Sequence, residues 1–338
     1  MTVRWGLLST SGIGRVAARA IAAADGAELA AVAGRDADRA AAYAAEVGSP
    51  VAYGNYEELL ADGGIDAVYV PLPITLHGEW TIRALEAGKH VLCEKPLTLD
   101  PDEATAVFDA AERAGRLAIE GFMWRLHPQT RPVRRLLAAG SIGELALVRA
   151  ALSVSAPAGD IRRTTDLGGG ALADLGGYCV SAVRLFGGEP STVRAVRVAD
   201  PAGTGAGHDL RASAVLELQD GVVGLIDVGL DLERRDQLEL VGTEGRIVVD
   251  DPWLCRSGTV DLIRAERSER LPVDPDGAYR LTPPRPDNED AYRLEFEAAS
   301  AAFGGRAAPA FGRDDAIAQA RALEAARRSA ATGVTVVL

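Results

Sequence analysis

Over residues 3–119 short apolar runs recur at intervals, and between them the hydrophobic positions fall three and four residues apart. The runs VRWGLL, ELAAVA, DAVYVPL, KHVLCE and RLAIEG predict strands, their aliphatic residues consecutive as in strands buried on both faces. Residues 13–24, 36–47, 76–87 and 101–114 predict helices, with Ala, Leu and charges at helical spacing. Strands alternating with helices in this way predict βαβ units, hence a parallel, doubly wound α/β sheet.

The pattern changes after Gly121, where GFMWRLHPQTRP brings Trp, His and two prolines together. We place a boundary there, giving an N-terminal domain of residues 1–121 and a C-terminal domain of residues 122–338. Beyond it the sequence predicts a helix over 130–139, a strand over 145–155, a loop containing GDIRRTTDLGGG and a helix over 171–186. The runs SAVLEL, GVVGLIDVGL, DQLELVG and GRIVVDD follow, separated by turn dipeptides such as Asp220-Gly221 and Glu244-Gly245. Strands joined by tight turns after a helix predict an α+β domain. Helical patterns over 288–303 and 313–331 close the chain before the apolar tail VTVVL, with a Pro/Asp stretch at 282–288 expected to be exposed.

At 338 residues and 48% hydrophobic content the chain can fill two cores. A formal net charge of −12, without a long run of Lys or Arg, disfavours a nucleic-acid partner. The alanine-rich segments carry a charge every few positions, so no membrane span is expected, and the N-terminus lacks the pattern of a signal peptide. The expected location is the cytoplasm. Cys93, Cys179 and Cys255 lie far apart without a CxxC, and the four histidines make no metal-ligand spacing; buried thiols and no metal are expected.

Between the first strand and the first helix lies Gly6-Leu-Leu-Ser9-Thr-Ser11-Gly12-Ile13-Gly14. Backbone N–H groups at such a helix start can hold a pyrophosphate, although Ser9 and Ser11 stand where a dinucleotide fingerprint has glycines. The next strand ends Gly34-Arg35-Asp36, with Gly34 where NAD enzymes carry an acid for the ribose hydroxyls. Arg35, with Arg39 one turn later, offers guanidinium groups to a 2′-phosphate, which predicts NADP(H). The competing reading makes Arg35 a solvated strand-end charge and Asp36 a helix N-cap.

LLSTSGIG, AGRD, YVPLP followed by His77, Glu94-Lys95-Pro96 and GGGALADLGGY together resemble the glucose–fructose oxidoreductase / inositol dehydrogenase family over essentially the whole chain. GFMWRLHPQ and GDIRRTTDLGGGALADLGGY resemble its branch of dihydrodiol dehydrogenases, NADP-dependent aldose dehydrogenases and nucleotide-sugar 3-ketoreductases. The resemblance implies a Rossmann domain, a C-terminal domain with a large, mostly antiparallel open sheet, a substrate cleft between them, and a homodimer or homotetramer formed through the sheet's outer face. It implies a sugar-like substrate. It also implies catalytic roles for Lys95, Tyr178 and Asp174, with Tyr178 where many family members have a histidine. Cofactor contacts are expected from Ser9, Ser11, Gly12, Ile13, Arg35, Arg39, Leu72, His77, Glu94 and Lys95. Trp124, Arg125 and His127, and the loop charges Asp160 and Arg162, are weaker candidates. The alternatives are a cyclic trans-dihydrodiol as substrate, or a non-catalytic dinucleotide-binding regulator; both Lys95 and Tyr178 being present speaks against the latter.

Overall fold

The computed structural model describes residues 2–201, 208–265, 267–283 and 289–338. They form two compact units: Met1–Leu126 with Glu289–Ile317, and His127–Asn288 with Ala318–Leu338.

The first unit runs β1 (Val3–Leu8), α1 (Gly12–Ala23), β2 (Ala27–Ala33), α2 (Ala37–Val47), β3 (Ala52–Tyr53), α3 (Tyr56–Ala61), β4 (Ala67–Val70), α4 (His77–Glu86), β5 (His90–Glu94), α5 (Pro101–Ala114), β6 (Ala118–Gly121) and α6 (Met123–Leu126). All six strands are parallel, in the order β3-β2-β1-β4-β5-β6. The order reverses between β1 and β4, so the carboxyl ends of these strands flank the crevice where open α/β sheets bind ligands. The five predicted strands fall on β1, β2, β4, β5 and β6. β3 and α3 were not anticipated, because two strand residues and a six-residue helix are too short to show a period.

The second unit contains α7 (Thr130–Ala138), β7 (Leu145–Ser155), α8 (Gly177–Gly187), β8 (Pro190–Ala199), β9 (Asp209–Leu218), β10 (Val223–Gly229), β11 (Asp231–Gly242), β12 (Arg246–Asp250), β13 (Thr259–Arg264) and β14 (Arg267–Pro272). The chain then forms α9 (Asp290–Phe303), α10 (Arg313–Thr332) and β15 (Val336–Val337). The nine-stranded sheet has the order β14-β13-β12-β11-β7-β10-β9-β8-β15 and is antiparallel except where β7 meets β10. Its two faces follow the two-residue period of the pleat. The cross-strand row Ala195, Ala214, Ile226, Ala150, Leu238 and Val249 is buried. The opposite face carries the row Arg194, Val215, Leu225, Arg149, Glu239 and Val248. On the side of β8 where the short β15 pairs, Ser329 of α10 accepts from the Ala195 N–H (2.8 Å) and donates to the Val334 carbonyl (2.6 Å).

α9, far along the chain, belongs to the first unit. Phe296 meets Trp5 edge to face with ring centroids 4.9 Å apart, and Ser300 Oγ accepts the Trp5 indole N–H at 3.0 Å. A boundary placed at Gly121 assigns this helix to the C-terminal domain; its return to β1 rests on tertiary packing that linear order does not display. The stretch expected to be exposed at 282–288, and the first residue expected of this helix, Asn288, lie largely outside the described residues.

Candidate active site

The turn after β1 is built by close packing. Ser11 caps α1, its Oγ accepting the Gly14 N–H at 3.3 Å, and Tyr43 Oη donates to the Ser11 carbonyl at 2.9 Å. A Cβ on Gly14 would lie 2.5 Å from Tyr43 Oη, so only glycine lets α2 approach α1 here, whereas nothing lies within 4 Å of the corresponding point on Gly12. The turn thus keeps one glycine for helix packing and leaves the other facing open space at a helix N-terminus, where an anion is favoured.

At the end of β2, Gly34 lies against Thr10 of that turn, its ideal Cβ 3.0 Å from Thr10 Cγ2. Asp36 caps α2 by accepting the Arg39 N–H at 2.8 Å. Arg35 and Arg39 are exposed, and neither guanidinium has a carboxylate partner among the described residues. Both lie near enough to Tyr56 to draw its pKa down, against burial, which is the larger influence and raises it. Two exposed positive charges therefore follow the end of β2.

The segment after β5 is fastened on three sides. Glu94 accepts from Tyr69 Oη at 2.5 Å and from the Lys95 N–H at 3.2 Å. Glu120 of β6 accepts the Leu97 N–H at 2.8 Å. His77, only 1% exposed, sets Nδ1 2.8 Å from the Pro96 carbonyl and Nε2 2.8 Å from the Leu72 carbonyl. Burial holds its pKa below the usual histidine range despite those carbonyls, so the neutral ring donates to one of them at a time. In this structure His77 braces the ends of β4 and β5 from behind. Beneath the same strand ends lies Glu295 of α9, fully buried, with neither carboxylate oxygen hydrogen-bonded among the described residues. Its Oε1 is 3.5 Å from the point a Cβ on Gly121 would occupy. Burial first, and then the charge of Glu94, push its pKa well above the carboxylate range.

In the second unit the glycine run 168–170 admits close neighbours, backbone at Gly169 and a side chain at Gly170. A Cβ on Gly169 would lie 2.6 Å from the Arg162 carbonyl, and one on Gly170 would lie 2.8 Å from Asp209 Oδ1. The buried Asp209 accepts the Leu172 N–H at 2.6 Å; burial raises its pKa against that bond. The helix expected to be regular over 171–186 opens with a π-helical turn, Leu172–Gly176, before α8. Asp174 lies in this turn, so its four-residue spacing from Tyr178 spans a wider turn than in a plain α-helix. Arg162 pairs with Asp160 through Nε (2.9 Å) and Nη2 (2.8 Å), and is drawn electrostatically toward Asp174 as well. Tyr178 is buried on α8, its ring 5.7 Å from that of Trp253.

Ser9, Ser11, Gly12, Ile13, Arg35, Arg39, Leu72, His77, Glu94 and Lys95 therefore belong to the first unit, and Asp174 and Tyr178 to the second. Trp124 is fully buried, and Arg125 is buried in a 2.5 Å ion pair with Asp315. His127 is also buried, its Nδ1 accepting the Gln129 N–H at 3.2 Å. Sequence reasoning missed Glu295, Asp209 and Trp253, whose interest comes from burial and neighbours; the local signal was a tryptophan two residues after a predicted strand. The three cysteines are buried free thiols with pKa values raised by burial. Among the described residues no group of His, Cys, Asp and Glu is placed to hold a metal ion, and no helix is long and apolar enough to cross a membrane.

Comparison with known proteins bears on both units. Residues 3–122 match the family model described as "Oxidoreductase family, NAD-binding Rossmann fold", and residues 130–248 match the GFO/IDH/MocA C-terminal domain. The chain is 38% identical to D-xylose 1-dehydrogenase (NADP(+)) 2 of Haloferax volcanii, over 99% of both chains. It is 30% identical to trans-1,2-dihydrobenzene-1,2-diol dehydrogenase of Bos taurus, over 83% of this chain and 84% of that one. Among solved structures it resembles a 3-ketoreductase from Actinomadura kijaniata in complex with NADP and TDP-benzene, with a TM-score of 0.87 and 32% identity over 97% of this chain and 98% of that one. Lys-to-Ala and Tyr-to-Phe variants of that ketoreductase are similar too, with TM-scores of 0.84 and 0.86. With both units matched and the relatives covered from end to end, this chain belongs to the GFO/IDH/MocA oxidoreductase family.

Proposed function

We propose that this protein is an NADP(H)-dependent oxidoreductase that moves a hydride between its cofactor and a carbinol or ketone of a sugar, either an aldose or a nucleotide-linked ketosugar. The observation that carries this reading is the Lys95 segment, fastened on three sides at the carboxyl ends of parallel strands. The first unit fits NADP(H): open space faces Gly12, and two exposed guanidinium groups, without a carboxylate partner among the described residues, follow Gly34. Ser9, Ser11, Gly12 and Ile13 would hold the pyrophosphate, Arg35 and Arg39 the 2′-phosphate, and Leu72, Glu94 and Lys95 the nicotinamide end. When bound, the nicotinamide supplies or takes up the hydride.

Reduction leaves charge on the substrate oxygen, and Tyr178 donates the proton that neutralises it. The Lys95 ammonium is assigned the stabilisation of that charge. Asp174 accepts a hydrogen bond from a neighbouring sugar hydroxyl. His77 acts indirectly, by fixing the Pro96 carbonyl. The xylose dehydrogenase and the 3-ketoreductase among the relatives support both the cofactor and the sugar class, and the lysine and tyrosine variants of the ketoreductase fit a Lys/Tyr pair.

A panel of aldoses, nucleotide-linked ketosugars and a cyclic dihydrodiol, followed by nicotinamide absorbance, tests the reading. Turnover of a sugar is expected, and Tyr178→Phe should lose about 10²–10⁴-fold in kcat while binding NADP(H) almost normally. NADP(H) binding without turnover of any panel member would instead support a non-catalytic regulator. Near-wild-type turnover by Tyr178→Phe would remove that residue from the chemistry.

A further inference from the structure

We propose that Trp253, carried by the braced turn after β12, is a positioning residue that fixes the phenol of Tyr178 for proton transfer; the inference rests on the acid–base role given to Tyr178 above. Trp253 is 1% exposed, and its indole N–H donates to the Ala151 carbonyl of β7 at 3.1 Å. That bond fixes the indole against the central strands of the sheet. Its ring stands 5.7 Å from the Tyr178 ring, tilted by 51°. Aromatic pairs favour such tilted arrangements, and the contact restricts the torsions that aim the phenolic oxygen.

The turn carrying Trp253 is built with more constraint than a strand connection needs. Asp251 and Cys255 both have left-handed backbone at φ 51° and 60°, without being glycine. Such conformations persist only where neighbouring contacts over-determine them, and they concentrate at functional sites. Those contacts are present. Asp251 accepts from the Arg256 backbone N–H (3.1 Å), Nε (2.5 Å) and Nη2 (3.1 Å), and its carbonyl accepts the Cys255 N–H (2.9 Å). From α7's side the buried Gln129 amide donates to the Pro252 carbonyl at 2.5 Å. Pro252 and Cys255 flank Trp253 closely, so the bracing bears directly on the backbone that presents the indole.

Tyr178 has particular use for such a wall. The π-helical turn immediately before α8 relaxes the regular packing that a continuous helix would give this position. A proton donor displaced by about 1 Å can cost about 10²-fold in rate, so a lateral support matters more here than in an ordinary helix. The role is orientation alone: no bond forms or breaks at the indole.

A double-mutant cycle on the full-length protein tests this, with Trp253→Leu and Trp253→Phe each made in wild-type and Tyr178→Phe backgrounds. Trp253→Leu should lower kcat by about 10²-fold with NADP(H) affinity unchanged, and Trp253→Phe, which keeps a ring, should recover most of the loss. In the Tyr178→Phe background, Trp253→Leu should cost little further, because the group it orients has gone. Equal fold-losses for Trp253→Leu in both backgrounds would overturn the inference, as would unchanged kcat in the wild-type background. Near-wild-type turnover by Tyr178→Phe alone would overturn the acid–base reading and this inference with it, a result distinct from the other two. Should Trp253→Leu fail to fold, Trp253→Met, apolar and likewise without a ring, carries the same cycle.

Discussion

At the end of β2 the carboxylate and the guanidinium groups have separate tasks. Asp36 is engaged at the N-terminus of α2, its Oδ1 accepting the Arg39 N–H. Arg35 and Arg39 keep their charges unpaired among the described residues. Losing one charge-assisted contact to a phosphate costs roughly 1.5–3 kcal/mol, so Arg35→Ala should weaken NADP(H) by about ten- to a hundredfold and NAD(H) far less. Titrations with both cofactors check this; equal losses would show that Arg35 serves the turn itself. Glu295 presents the opposite case, a carboxyl buried without a hydrogen-bond partner among the described residues. Its folded-state pKa lies well above the unfolded one, so the folded protein holds a proton that the unfolded chain releases as pH rises. The stability is fully present below the ordinary carboxylate range and falls as pH rises toward the folded-state value. Glu295→Gln titrates in neither state. Its melting temperature should therefore gain on the wild type as pH rises above the ordinary carboxylate range, about 4. A difference independent of pH would mean that folding does not shift this group.

Elements differ in how plainly the sequence announces them. The parallel strands were legible because burial on both faces demands consecutive aliphatic residues, as in the four fully buried positions of β4. β8, β13 and β14 were missed: PSTVRAVRVA, TVDLIR and RSERLP break up their few aliphatic residues with charged or polar ones, and their outward face is polar or only partly apolar. The Lys95 and Tyr178 motifs were legible through family resemblance, whereas Trp253 and Glu295 matter through partners distant in sequence. The helix expected over 171–186 ends at Gly187 in the structure and starts with a π-helical turn, beside glycines that admit the Arg162 carbonyl and the Asp209 side chain, neighbours that linear order does not display. The packing of α1 on α2 offers a direct test of element-level reasoning. Gly14→Ala would place a methyl group 2.5 Å from Tyr43 Oη, displacing a side chain that also holds the Ser11 carbonyl. Overpacking of this kind typically costs about 1–3 kcal/mol. In a Tyr43→Phe background, where that oxygen is absent and the next ring atom lies 3.6 Å away, the same change should cost distinctly less. Thermal melts of the four proteins measure the coupling; additive losses would mean that the clash is relieved elsewhere.

For the whole molecule, the outer face of the nine-stranded sheet poses the largest open demand. Val196 is 65% exposed and Val215 43%, and the face forms a concavity of about 660 Å³ whose lining includes Arg149, Arg194, Arg246, Asp227, Glu239 and Asp250. A sheet face left to water alone ordinarily alternates to polar residues, whereas this one mixes exposed valines with both signs of charge. In a two-fold assembly the same patch meets itself, so a surface carrying acids and bases together can set each against its opposite while the valines are buried. The chain's net charge of −12 opposes association over longer distances, but at physiological ionic strength that repulsion is screened beyond about 8 Å. We therefore expect a homodimer, or a homotetramer built from it, joined through this face. Light scattering at micromolar concentration should give at least twice the monomer mass, and the melting temperature should rise with protein concentration. Val196→Glu shares a cross-strand row with Ser213 and Asp227, so across a two-fold axis it would bring further negative charge to a patch that already holds Asp227. The variant should shift the population toward monomer without unfolding either unit. A wild-type protein that remains monomeric at every concentration from micromolar to millimolar would exclude the assembly, leaving the exposed valines of β8 and β9 for some other partner.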